Sequence, residues 1–233
     1  MACSLTHEIR KDLSCDYTPS PSLPVTISEP LVLRSSSSVP HLSSRGAWGL
    51  LQVVNASLYS TTATTKLSTY VTDLLDLANV DLASALHEYG PSVRHWCPTV
   101  HDCILGQGAN LIVAESPLLA LGVWLVIMAP DRQVQDLHRS QLYQALKQVL
   151  SLLQTTNEVK IEALQLGLSV AVYEVGHSLA TQASQTLSGC QSMLIMLEHN
   201  ALDSGNKKML QTLEWLKASL LLLDRYVKIL SSK

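Results

Sequence analysis

An excess of positive charge is the first thing this sequence lacks: 16 Lys and Arg stand against 19 Asp and Glu, a formal net charge of −3. A chain so balanced cannot neutralise a long track of phosphates, which disfavours direct DNA binding by this chain alone. It also lacks an apolar run of the roughly 20 residues needed to cross a bilayer. The most apolar stretch, Pro117 to Ala129, is too short and reads as a buried core helix. The five cysteines, Cys3, Cys15, Cys97, Cys103 and Cys190, include no C-x2-C pair, the usual unit of a structural zinc site. Their odd number without framework spacing argues for free thiols rather than disulfides. Met1 to Arg10 has no cationic start followed by an apolar stretch, so secretion is not indicated and the thiols are expected to be reduced. G-x-S-x-G and H-E-x-x-H, the two commonest hydrolase signatures, are absent.

What is present is apolar content. Of the 233 residues 47% are hydrophobic and only 15% charged, enough to bury one sizeable core. Cys15 to Arg45 is the exception, with Pro19, Pro21, Pro24, Pro30, Pro40 and the run Ser35 to Ser38. Such a stretch buries too little apolar surface to offset its ordering entropy and reads as a linker or tail. Trp48 to Tyr59 suits a helix, but the Thr-rich run Thr61 to Thr65 interrupts it. The expected organisation is therefore a largely disordered Ser/Pro/Thr-rich tail over 1–65 and a helical domain over 66–233.

From Lys66 onward apolar residues recur at helical spacing. Tyr70, Leu74, Leu77 and Val71, Leu75, Ala78 share one face, continued by Leu82, Leu86 and Tyr89. A loop with Pro91, Pro98, Gly106 and Gly108 follows. Ser116 and Pro117 then supply an N-cap and first-turn proline for a helix to about Met128, stopped by Pro130. Leu137, Leu142, Leu146, Val149, Leu150 and Leu153 form the next amphipathic run. Ile161 to Tyr173 makes another, with Gly176 as a left-handed C-cap. Leu179 to Leu197 and Met209 to Leu230 complete the set. The reading is all-α: a helical array of about six or seven helices with a disordered N-terminal tail.

Few constellations could carry chemistry. His95-Trp96-Cys97-Pro98-Thr99-Val100-His101-Asp102-Cys103 places two imidazoles and two thiols within nine positions. Zinc prefers those ligand types, but H-x-C-x3-H-x-C is not the paired spacing of structural sites, and the segment reads as a packed aromatic turn. Gly106-Gln107-Gly108 lacks the third glycine of a dinucleotide fingerprint and reads as an ordinary loop. His177 has no nucleophile or orienting carboxylate placed by spacing and reads as a histidine capping helix-end carbonyls. Cys190 reads as a small buried hydrophobe. Asp224 and Arg225 suit an ion pair at a helix end, and the stripe Trp215, Ser219, Leu222, Tyr226 suits an interaction face. No catalytic residue, metal or cofactor is assigned.

Three segments, in this order, resemble a known family. Leu86-His87-Glu88-Tyr89, running to Val93-Arg94-His95-Trp96-Cys97-Pro98-Thr99-Val100, looks like the opening block of the fungal-specific transcription factor domain. Ala171-Val172-Tyr173-Glu174-Val175-Gly176-His177 resembles that family's helix ending in Ala-x-Tyr-Glu-x-Gly-His, ahead of a helix rich in small residues. Glu214-Trp215 through Leu223-Asp224-Arg225-Tyr226-Val227 is similar to its Trp-containing helix closing in Leu-Asp-Arg-Tyr. The resemblance covers roughly Leu67 to Lys233. It implies the all-α regulatory region that accompanies zinc binuclear cluster DNA-binding domains, without a catalytic role. The zinc cluster itself is missing, and residues run out where the family pattern continues.

The resemblance implies a nuclear regulator, of a metabolic or secondary-metabolite gene cluster, that acts through protein or effector contacts. Its partner would be a complete zinc-cluster transcription factor or a second copy of itself, with DNA engaged only indirectly and no membrane involved. The residues it marks are structural: His95, Trp96, Pro98, Tyr173, Glu174, Gly176, His177, Trp215, Asp224, Arg225 and Tyr226. An apolar face left uncovered around Leu220 to Leu230 would favour self-association or a partner. The alternative reading is a helical small-molecule-binding protein or enzyme with an apolar pocket between helices.

Overall fold

The computed structural model describes residues 42–58, 63–89, 93, 108–127, 140–156 and 159–231. Nine helices and no strand occur among them: α1 Ser44–Leu58, α2 Ala63–Leu77, α3 Leu82–Tyr89, α4 Ala109–Glu115, α5 Pro117–Ile127, α6 Gln141–Gln154, α7 Ile161–Gly176, α8 Ala180–Asp203 and α9 Lys207–Ser231. The all-α expectation holds, with more helices than the six or seven read from periodicity. The additions are α1, within the stretch assigned to the tail, and α4, directly after the loop glycine Gly108.

The folded body therefore starts earlier than composition implied. Leu42, Leu50 and Val54 are buried in the common core, and α1 packs on α2 and α6. The Tyr70 hydroxyl of α2 donates to the Gly46 carbonyl of α1 at 3.0 Å. A boundary at residue 65 cuts through this pair; Ser and Thr content marks poor helix propensity, but tertiary burial of one face outweighs it. Residues 1–41 lie outside the described residues. On α2 the buried face is Leu67, Val71, Leu74 and Leu75, whereas Leu77, expected on that face, is 85% exposed. It sits at the last position of α2, about a quarter-turn off the centre of the buried stripe.

α7 is the axis of the array. Its residues from Ala163 to Val175 are all buried, and it packs against α5, α6, α8 and α9. A helix buried all round must be apolar all round, and only Gln165, Ser169 and Glu174 break that rule here. α5 is similar, buried continuously from Pro117 to Leu125. Each fully buried large aliphatic side chain in these two helices stabilises the fold by about 1.5–3 kcal/mol. Close approach depends on small residues: a Cβ at Gly122 would lie 3.0 Å from Ser169 Oγ, and one at Gly167 would lie 2.5 Å from Cys190 Sγ.

Three helix ends close by the same device. After α2, α7 and α8 the chain places one residue in the left-handed region, Asn79 (φ 54°), Ser178 (φ 60°) and Gly205 (φ 64°). In each case the next amide reaches back five residues: Val80 N to Leu75 O at 2.9 Å, Leu179 N to Glu174 O at 2.8 Å, and Asn206 N to Ala201 O at 3.0 Å. These are Schellman closures. Gly176, expected as the left-handed cap of α7, is the last helical residue instead, and Ser178 takes the strained position. Asn206 then turns to the next helix, its Oδ1 accepting from Met209 N at 3.1 Å.

The N-terminus of α5 differs from its sequence reading. Ser116 closes α4, its amide donating to Ile112 O at 2.7 Å. The free amides of α5 are met from a distance: Leu118 N donates to Glu162 Oε1 of α7 at 2.7 Å. Burial pushes the Glu162 carboxyl above the usual carboxylate range, against the opposing pull of the Leu118 and Leu119 amides and of Lys160. The folded state thus binds this proton more tightly than the unfolded chain, and the parent loses stability relative to Glu162→Gln as pH rises through the carboxylate range. In urea melts between about pH 4 and pH 7, Glu162→Gln should gain on the parent with rising pH. Glu162→Ala, which leaves the amides without an acceptor, should cost about 1–2 kcal/mol at the acid end, a deficit that narrows as pH rises. A parent that gained on Glu162→Gln with rising pH would contradict this.

Candidate functional site

The Tyr-Glu-x-Gly-His motif at the end of α7 is where polar chemistry enters the core. Glu174 is completely buried. Its Oε1 accepts from the Tyr143 hydroxyl at 2.7 Å and lies 2.9 Å from Lys147 Nζ, both from α6. Its Oε2 accepts from the Thr186 hydroxyl of α8 at 2.6 Å. Lys147 Nζ also donates to Thr186 Oγ1 at 2.7 Å, closing a ring of Glu174, Lys147 and Thr186 over three helices, with Tyr143 joined to it at Glu174. Such a buried carboxylate is tolerable only because both oxygens meet donors and a cation.

The surroundings hold this ring in place. Ser140 N-caps α6, its hydroxyl accepting from Tyr143 N at 3.4 Å. The Tyr143 and Tyr173 rings stack at 5.2 Å, and the Tyr173 and His177 rings lie 4.0 Å apart. His177 Nδ1 is 2.7 Å from Tyr173 O, so it carries the proton and adds a second bond to a helix-end carbonyl that also accepts the His177 amide at 3.1 Å. Burial, and then the hydrogen bond and charge of Glu174, hold the Tyr143 phenol far above its ordinary value. Burial also raises the Tyr173 phenol, against the hydrogen bond of Ser140. The Cys190 thiol is pushed up to about 12 by burial, reinforced by the Glu174 charge and opposed by Lys147. Cys190 is thus a protonated, buried thiol, not a nucleophile.

This arrangement binds helices together. Its phenol and thiol keep their protons, its carboxylate is fully occupied, and no hydroxyl or thiol is hydrogen-bonded to His177 among the described residues. Two clefts open elsewhere on the surface. One of about 390 Å³ lies between α1 and α2 around Arg45, Tyr70 and Asp73. The other, of about 600 Å³, lies around Thr72, Asp76 and Asp81 at the meeting of α2, α3 and α4. The Asp81 carboxylate is occupied as a helix cap, accepting from Ala83 N at 3.0 Å and from the Ser84 hydroxyl at 2.6 Å.

The second motif lies on α9. Leu213, Leu216, Leu220, Leu223 and Val227 face the core. Opposite them, Trp215 (52%), Leu222 (45%), Tyr226 (51%) and Ile229 (58%) stand exposed. Asp224 pairs with Lys228 at 2.6 Å, one turn on, rather than with Arg225. Adjacent helical residues point about 100° apart, so the expected Asp224–Arg225 pair does not form, and α9 continues past it to Ser231. Ser219 is buried beside the stripe rather than within it. His95, Trp96 and Pro98, and with them the His/Cys segment to Cys103, lie outside the described residues. Among those described, no cluster of three or more His, Cys, Asp or Glu could hold a metal ion, and no helix is long and apolar enough to cross a membrane.

Tyr143, Lys147 and Thr186 were missed in the sequence. The signal for one of them was present: Lys147 is a lone cation inside the apolar stripe of α6, as Glu174 is a lone anion in the apolar run from Ala163 to Val175 of α7. Two opposite charges in core-facing positions are natural partners.

No family model matches this chain, and no solved structure matches it. It is similar to a protein named "Transcription factor BOA15" from Botryotinia fuckeliana (strain B05.10), at 29% identity over 112 residues. The alignment spans 47% of this chain and 63% of that protein. At this level the chain resembles a fungal transcription factor.

Breaking the Glu174 ring from the cation side should hurt most. Lys147→Met, which strands a buried carboxylate, should cost about 2–3 kcal/mol, and Tyr143→Phe or Thr186→Val about 1 kcal/mol each. Chemical denaturation measures all three. A neutral Lys147→Met would show that the ion pair does not support the fold.

Proposed function

We propose that this chain is a transcription-regulator-like protein that works in the nucleus through contacts with a protein or an effector, not by catalysis. The observation that carries the reading is the similarity to Transcription factor BOA15. Two features support it. The family-like Tyr173-Glu174-Val175-Gly176-His177 segment forms a fully paired structural knot, which explains these residues without substrate chemistry. The formal charge of −3 and the absence of any C-x2-C pair within these 233 residues fit a reading in which DNA is engaged through a partner, such as a complete zinc-cluster regulator. Control of a metabolic or secondary-metabolite gene cluster is the finer form of the proposal.

Tethering tests the reading directly. Fused to an unrelated DNA-binding domain, the chain should change expression of a reporter carrying that domain's sites, and the purified chain should retain labelled genomic DNA only when nuclear extract of the source cell is added. An unchanged reporter, with the fusion present in the nucleus, would refute regulation. Sequence-specific binding by the purified chain alone would refute the partner-dependent form.

A further inference from the structure

We draw no further inference here: the strongest candidate, the cleft of about 390 Å³ between α1 and α2 around Arg45, Tyr70 and Asp73, has both charged side chains exposed to solvent and the Tyr70 hydroxyl already donating to the Gly46 carbonyl, so nothing in the structure shows what ligand would fill it.

Discussion

A carboxylate sealed inside a protein has to find its donors inside as well, and for Glu174 that requirement fixes three helices at once. Tyr143 and Lys147 must come from α6 and Thr186 from α8, all within hydrogen-bond distance of a residue on α7. If any of these helices slides, a buried charge loses a partner, at a cost of several kcal/mol. Apolar packing alone would tolerate small shifts in register; a polar network of four side chains does not. The remaining helices extend this kernel, with α5 and α9 on other sides of α7, and α1 and α2 joined to it through α6 and α5.

The Tyr-Glu-x-Gly-His segment is best understood in that light. Tyr173 stacks between Tyr143 and His177, Glu174 is the hub, and the helix must end immediately after it. That ending uses a Schellman closure whose long-range bond falls on the Glu174 carbonyl itself. Side chain and backbone of the same residue therefore fix both the position of α7 and the point where the chain turns into α8. A motif that looks functional in sequence is here a structural joint.

Much of the architecture was legible because it rests on periodicity. The α-helical class, the helices α6 to α9 and the continuous burial of α5 follow from the spacing of Leu, Val and Ala, which packing then enforces. What escaped depends on contacts distant in sequence. Trp48 to Tyr59 suited a helix, but its Ser- and Thr-rich neighbourhood placed it in the tail, whereas Leu50 and Val54 are buried in the core and α1 packs on α2 and α6. Ser116 has the right chemistry for an N-cap, but the cap of α5 comes from Glu162, 44 residues away from the amide it binds. Gly176 was the natural candidate for a left-handed residue, and Ser178 takes the position because the closure is set by where α7 must stop. Lys147 and Glu174 were visible as isolated charges in apolar runs, but their pairing needed the fold.

Native-state hydrogen exchange of the intact chain tests the central claim most directly. If α7 is the axis and Glu174 its polar lock, the amides of α7 and of the facing turns of α6 and α8 should exchange only through global unfolding, at the free energy obtained from denaturant melts. Those of α1 and α2 should open at lower cost. Exchange of α7 through local openings while α1 and α2 remain protected would contradict the account.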